Sequence, residues 1–400
     1  MIRIQYILLY VFSFTLVFEN WEMMSFGGNS LPKLFAIMFM GLTMFSSRKT
    51  FDYNMLKRYL NPLFIFSLIL LFPYVYNFSE LSSSFTGLST ILLNVLFFWF
   101  IGNLVVRKPI LAYRMIQVFV FGVFLSSILF LLNIGIEYED GRMALFGENQ
   151  NKIGIFCAFA VLYIMTTLIE NYRGYKLRRY FLLLFLLPLI NMIAETGSRV
   201  TFISLMLSLM VFILLRRSGN SIKKVLFIVV GAAILFFLFN YFMTFDVLRE
   251  RMLSTYEDQD LAGRDRIWEN LWPLFKKSPA VGIGVGGYAD FANAYYGAVR
   301  SPHNVFIEIL VYSGLAGFIS FFTFIYFIFK DSLKIFLQQH FVFPLLLILF
   351  LFLVFFTGQA LNVKSFWMIY LYIVSVRYNT DFIREKEEVQ NLTIIETETV

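Results

Sequence analysis

Apolar residues run along this chain in long stretches broken by short polar connections. Twelve such stretches stand out, at 4–18, 31–46, 63–77, 87–106, 110–134, 153–169, 180–194, 200–215, 224–243, 304–329, 341–357 and 361–376. A helix needs roughly 17–25 apolar residues to cross a bilayer, so the pattern predicts an all-α, polytopic membrane protein of about twelve transmembrane helices. The first, third, seventh and eleventh stretches are short for a span. One connection is much longer than the rest and organises the chain. Helices 1–9 fill residues 1–243, a large external loop occupies 244–303, helices 10–12 fill 304–376, and 377–400 forms a polar tail with Glu385, Glu387 and Glu388. The first stretch, preceded by Arg3, has the layout of a secretory signal peptide. No small-x-small cleavage site follows it, and the flank Glu19-Asn20-Trp21-Glu22 favours an uncleaved first helix. The chain has no internal repeat of fixed period and no low-complexity linker.

Composition agrees. The chain is 59% hydrophobic and only 15% charged, and its 51 Phe outnumber its 26 Asp and Glu together. A soluble domain carries about 25% charged residues, so a soluble globular enzyme is excluded, and the apolar content excludes disorder. The single cysteine, Cys157, rules out an intrachain disulfide and a Cys-based metal site. The net charge of +7 raises nucleic acid as a partner, but the positions of the 33 Lys and Arg answer it. One set of flanks and connections holds 21 of them, including Arg48, Lys57, Arg58, Arg107, Arg216, Lys330 and Arg377. The opposite set, apart from the long loop, holds five: Lys33, Arg142, Lys152, Arg199 and Lys364. By the positive-inside rule both termini are cytoplasmic, the charge is mostly topological, and no nucleic acid is called for. Two glycosylation sequons, at Asn77 and Asn391, are read as chance matches.

The unusual residues gather in the outer connections. The loop 244–303 carries seven Lys and Arg, among them Arg249, Arg251, Arg264 and Arg266, and one of the two histidines, His303. Outward arginines point to an anionic partner; the plainer reading pairs each with Asp246, Glu250, Asp265 or Glu269. In Gly263–Lys277, Ile267, Leu271 and Leu274 share one helical face beside Trp268, Trp272 and Phe275, which predicts an amphipathic helix at the membrane boundary, kinked or divided at Pro273. The alternative is a helix packed on other loops. Gly282-Ile283-Gly284-Val285-Gly286-Gly287 matches G-x-G-x-x-G, but lacks the βαβ unit that gives that pattern meaning. What it leaves open is a turn that brings backbone N–H groups to a ligand. Asp258-Gln259-Asp260 imitates a metal–nucleotide-sugar motif on the wrong side of the membrane. Ser301-Pro302-His303-Asn304 precedes a long apolar span, and His303 is either a structural hydrogen-bonding residue or a proton-transfer group. Glu195-Thr196-Gly197-Ser198-Arg199 is a tight turn that holds Arg199 at headgroup depth. That arginine is either functional or snorkels to lipid phosphate. Gly141–Asn151 is a polar loop that places Arg142 at the same surface.

Taken in order, Arg142 to Asn151, Thr196 to Arg199, Arg264 with Trp268, Pro279 to Gly287, and His303-Asn304 with Gly314 and Gly317 resemble the bacterial O-antigen ligase and O-antigen polymerase family. The resemblance covers about 140–320. It implies glycosyl transfer on the outer face of the cytoplasmic membrane, from an undecaprenyl-pyrophosphate-linked oligosaccharide. The acceptor is either another lipid-linked glycan (polymerase) or lipid A-core (ligase). No cofactor or metal is implied. His303 is the expected base of an inverting transfer. Arg199 and Arg264, with Arg142 and Arg266 in reserve, are the expected pyrophosphate ligands, because guanidinium grips phosphate oxygens bidentately. Ser198, Trp268, Gly282, Gly284 and Asn304 are expected in support. Polymerase is the reading preferred here, on the wider occurrence of such enzymes. Membrane lipids, a chain-length regulator and a flippase are the further partners this reading calls for. A transporter or flippase also fits twelve spans, but should show repeats and mid-membrane polar residues. A purely structural partner in a polysaccharide export complex is the third reading.

Overall fold

The computed structural model describes residues 2–22, 25–26, 29–45, 52–76, 80–169, 180–216, 220–257, 263–297, 301–358 and 360–379. The Asp258-Gln259-Asp260 motif, both sequons, Arg300 and the end of the tail lie outside them. The fold is almost wholly helical. In chain order the helices are α1 (Ile2–Thr15), α2 (Leu31–Met44), α3 (Tyr53–Leu71), α4 (Pro73–Tyr76), α5 (Glu80–Arg107), α6 (Ile110–Leu131), α7 (Gln150–Ile169) and α8 (Leu186–Glu195). They continue as α9 (Arg199–Leu215), α10 (Ser221–Phe242), α11 (Asp246–Glu257), α12 (Arg264–Lys277), α13 (Gly284–Tyr296), α14 (Val305–Gln339) and α15 (Phe343–Phe355). A final helix, α16, covers 364–379.

Every one of the twelve apolar stretches carries a helix. Among the described residues, six helices are long and apolar enough to cross a membrane: Tyr53–Val75, Thr86–Arg107, Ile110–Leu131, Gln150–Ile169, Ser221–Phe242 and Val305–Gln339. Ile4–Phe18, Leu31–Met44, Leu182–Glu195, Arg199–Leu215 and Phe343–Phe355 are shorter apolar helices. α10 shows most directly what surrounds them. Its Val225, Leu226, Val229, Ile234, Phe236 and Phe237 are all exposed, and only Gly231 and Phe242 are buried. An apolar helix bare on most of its circumference is stable in lipid and not in water. The chain is a membrane protein.

Two boundaries differ from the sequence pattern for a physical reason. α3 begins ten residues before its apolar stretch, capped by the Asp52 carboxylate, which accepts from Asn54 N–H. Its first turns are amphipathic: Leu56, Tyr59, Leu60 and Leu63 are buried, while Lys57, Arg58 and Asn61 interrupt the apolar run. α14 runs to Gln339 because Lys330 and Lys334 end the apolar stretch without ending the helix. There the buried Asp331 carboxylate meets Arg58 at 3.0 Å, Arg377 at 3.7 Å, and the Tyr59 hydroxyl, tying α3, α14 and α16 together.

α14 is broken at Gly314, whose backbone leaves helical geometry at φ 59° and ψ −165°. The segment Pro279–Ile283 crosses the break and takes over its hydrogen bonding. Leu315 N–H donates to the Pro279 carbonyl, Ala316 N–H to Ala280, and Ile283 N–H to Val311. Contact is backbone on backbone: a Cβ on Gly282 would lie 2.4 Å from Ser313 N, and one on Gly314 would lie 2.4 Å from the Ala280 carbonyl carbon. The glycine run is therefore a packing device. Three N–H groups of the run are already engaged: Gly282 N–H donates to Ser278, Ile283 N–H to Val311 and Gly286 N–H to the Tyr74 hydroxyl.

The long loop is not irregular; it holds α11, α12 and α13. On α12, Ile267, Leu271 and Leu274 are buried as the periodicity predicts, and the helix continues through Pro273 instead of dividing there. That face packs on α14, so α12 is seated on protein, while Trp272 stays exposed. Two short antiparallel hairpins, β1–β2 (Ser25–Phe26 with Asn29–Ser30) and β3–β4 (Ile136–Glu139 with Arg142–Leu145), are the only departures from helix that pair strands among the described residues.

Candidate functional site

The site is assembled from three outer connections. Arg142 opens β4, whose Met143, Ala144 and Leu145 are buried, so the hairpin is anchored while Arg142 reaches across it. Its Nε donates to the Thr196 carbonyl at 2.9 Å, and an Nη donates to the Asn151 side-chain oxygen at 3.0 Å. Both acceptors are neutral, so neither cancels its charge. The turn at Thr196-Gly197-Ser198 is fixed locally. Gly197 has φ 57°, and Ser198 caps α9 with its hydroxyl toward Thr201. A Cβ on Gly197 would meet Val247, the Arg251 side chain at 3.2 Å and that of Arg142 at 3.6 Å. The bare glycine lets two arginines lie over one turn. Arg199, the first residue of α9, donates to the Arg251 carbonyl at 3.0 Å and to the Thr255 hydroxyl, which docks α11 against α9.

Electrostatics shows how tight the grouping is. Burial, followed by the charges of Arg251, Arg264 and Arg199, lowers the Arg142 guanidinium to about 10. Burial, followed by Arg199 and Arg251, lowers Arg264 to about 10 as well. Guanidinium groups stay charged at neutral pH, so the molecule holds a positive patch whose members repel one another, offset in part at Arg142 by the nearby Glu139 carboxylate. A like-charge cluster is costly by itself and is relieved by an anion.

His303 sits beside this patch. Trp268 Nε1 on α12 donates to the Pro302 carbonyl at 3.0 Å. Asn304 caps α14, its side-chain oxygen accepting from Phe306 and Ile307 N–H. Held on both sides, His303 takes a left-handed backbone at φ 51°, uncommon for a residue with a Cβ. Burial, then the Arg264 charge, lowers its imidazole from 6.5 to about 4, so it is neutral at physiological pH.

His303 also lines a cavity of about 150 Å³, together with Asn149, Asn151, Lys152, Ile155, Thr357, Gly358, Val363 and Phe366. Below it lies an ion network. Glu19 bridges Lys152 at 3.1 Å and contacts Lys364, and Lys152 bridges Glu148 at 2.9 Å. Burial raises Glu19, but the two ammonium groups outweigh it and hold the carboxyl at about 2.

The structure thus brings together Arg142, Arg199, Arg264 and His303, with Ser198, Trp268 and Asn304 positioning them. It does not bring in Arg266, which is exposed. Two residues beyond Arg264 on the same helix, it points to a different side. Gly282 and Gly284 belong to the packing around α14, with Gly284 against Pro73. Sequence reasoning missed Arg251 as a site residue. The available signal was spacing: Leu248, Arg251 and Thr255 share one face of α11, and the buried Leu248 fixes which way that face points. The cavity wall at Thr357–Phe366 had no signal at all.

Residues 182–322 match the family model described as O-antigen ligase, which supports membership of the O-antigen ligase/polymerase family. No curated protein matches the chain. The matched stretch contains Arg199, Arg251, Arg264, Trp268 and His303. Arg142, the Asn149–Lys152 turn and the cavity wall at Thr357–Phe366 lie outside it.

Proposed function

We propose that this chain, with residues 182–322 matching the O-antigen ligase family, transfers a glycan from a polyprenyl pyrophosphate to a sugar hydroxyl at the outer face of the cytoplasmic membrane. The observation that carries the reading is the convergence of Arg142, Arg199, Arg251 and Arg264, from three separate connections, beside a neutral histidine. The donor's glycosidic C–O bond breaks with its electron pair leaving on the pyrophosphate oxygen. Preorganised guanidinium groups stabilise that charge as it develops. The acceptor oxygen forms the new bond to the anomeric carbon from the opposite side, inverting its configuration, and its proton passes to His303. The pyrophosphate offsets the Arg264 charge, so the imidazolium forms more readily in the complex than in the empty site. Both termini are cytoplasmic in this reading, and no metal takes part.

Polymerase and ligase differ only in the acceptor. The broad occurrence of polysaccharide polymerases favours elongation of a lipid-linked glycan; the description of the matched family favours transfer to lipid A-core. A deletion strain separates them. Single-unit chains at the cell surface identify the polymerase; full-length chains accumulating on the lipid carrier identify the ligase. Unchanged surface polysaccharide and unchanged carrier-linked glycan would contradict both.

A further inference from the structure

The patch and the cavity share a wall. Asn151 both accepts from Arg142 and lines the cavity, and His303 both feels the Arg264 charge and lines the cavity. The two compartments have opposite chemistry. The patch is cationic. The cavity is lined by two amides, a threonine hydroxyl and the apolar surfaces of Ile155, Val363 and Phe366, and its one charged group, Lys152, is ion-paired to Glu19 and Glu148. Its volume, about 150 Å³, is below the roughly 300–1,000 Å³ of drug-sized ligand sites and limits the occupant to a single small ring. Thr357 Oγ1 is buried and has no hydrogen-bond partner among the described residues. A buried hydroxyl in that state is unfavourable until something bonds it. An uncharged ring with hydroxyl groups and one apolar face matches this lining; an anion does not.

We infer that the cavity between the start of α7 and the α15–α16 connection is the acceptor subsite, binding an uncharged sugar ring with Thr357 and Asn149 as its specificity-determining residues. This rests on the glycan-transfer reading above and adds where the second substrate binds. An acceptor ring there lies against His303, whose imidazole also feels the Arg264 charge, so the acceptor's hydroxyl proton and the donor's pyrophosphate meet at one histidine. The donor then owes its affinity to the patch and the acceptor its affinity to the cavity. Substitutions in the cavity should act on one substrate alone.

The test compares wild type with Thr357→Val, which keeps the shape and removes the hydroxyl, and Thr357→Ser, which keeps the hydroxyl. Each purified full-length protein is assayed with a fixed polyprenyl-pyrophosphate donor and two acceptors, the lipid-linked repeat unit and the core oligosaccharide. In parallel, each delipidated acceptor is titrated onto protein without donor, so that binding is read independently of turnover. Thr357→Val should raise the KM and Kd for the true acceptor roughly five- to tenfold, leave the donor KM unchanged, and be largely restored by Thr357→Ser. The acceptor whose constants move identifies the source. Unchanged acceptor constants, or equal changes for donor and acceptor, would overturn the inference. Acceptor binding that responds as expected, in a wild-type protein that transfers nothing, would support the subsite and overturn the transfer reading. Absence of both binding and transfer would overturn both.

Discussion

At the residue scale the site is defined by charges that repel each other. Arg251 is the member that sequence inspection passed over, because in a sixty-residue connection it is one basic residue among several, with Asp246 and Glu250 nearby as ready partners. Only the docking of α11 over Gly197 places it against Arg142. Arg251→Ala should lower kcat/KM by roughly 10²–10³, the loss seen when one preorganised donor is removed from a developing anion. Arg251→Lys should recover only part of it, since Lys lacks the fork. Full activity in both variants, at normal thermal stability, would remove Arg251 from the site. His303 gives a pH test. Its value in the empty site, about 4, lies below the ordinary 6.5, so it stays neutral as pH falls from 7 to about 5 and kcat/KM should hold level there. Bound pyrophosphate favours imidazolium and raises its pKa, so the acid limb of kcat should lie at higher pH than that of kcat/KM. The reverse order would contradict the placement of pyrophosphate beside His303.

At the element scale, what was legible in the sequence was what periodicity records. All twelve apolar stretches became helices, and the α12 face of Ile267, Leu271 and Leu274 was readable because burial on one side leaves a 3.6-residue trace. The α3 start at Tyr53 was missed because its buried residues alternate with Lys57, Arg58 and Asn61. The β3–β4 hairpin was missed because Met143–Phe146 is too short an apolar run to separate from a loop. What the glycine run's spacing could not convey is its packing against the break in α14. Gly282→Ala should therefore be severe, combining φ 72° with a Cβ 2.4 Å from backbone, a cost of about 2 kcal/mol or more. Gly263→Ala, at φ 70° with nothing within 4 Å, should cost only the conformational penalty of about 1–2 kcal/mol. Thermal unfolding of the detergent-solubilised variants measures the difference, and equal losses would contradict the backbone-on-backbone contact.

At the scale of the whole molecule, the apolar excess is a lipid-facing scaffold, as the bare flank of α10 shows. That scaffold draws connections from across the chain to one face. Arg142, Arg199, Arg251, Arg264 and His303 span more than a third of the sequence, and the cavity beside them adds Thr357 from beyond α15. No local pattern encodes such convergence, because it depends on how helices pack and not on spacing along the chain. The ordered resemblance was what brought most of these residues forward together. The roles of His303 and Arg264 are tested most directly by glycan transfer from a defined polyprenyl-pyrophosphate donor, measured with purified protein across wild type, His303→Ala and Arg264→Ala at matched protein levels. Transfer by wild type, lost in both variants while they remain folded in the membrane, is the predicted result. Near-normal transfer by both variants would contradict it.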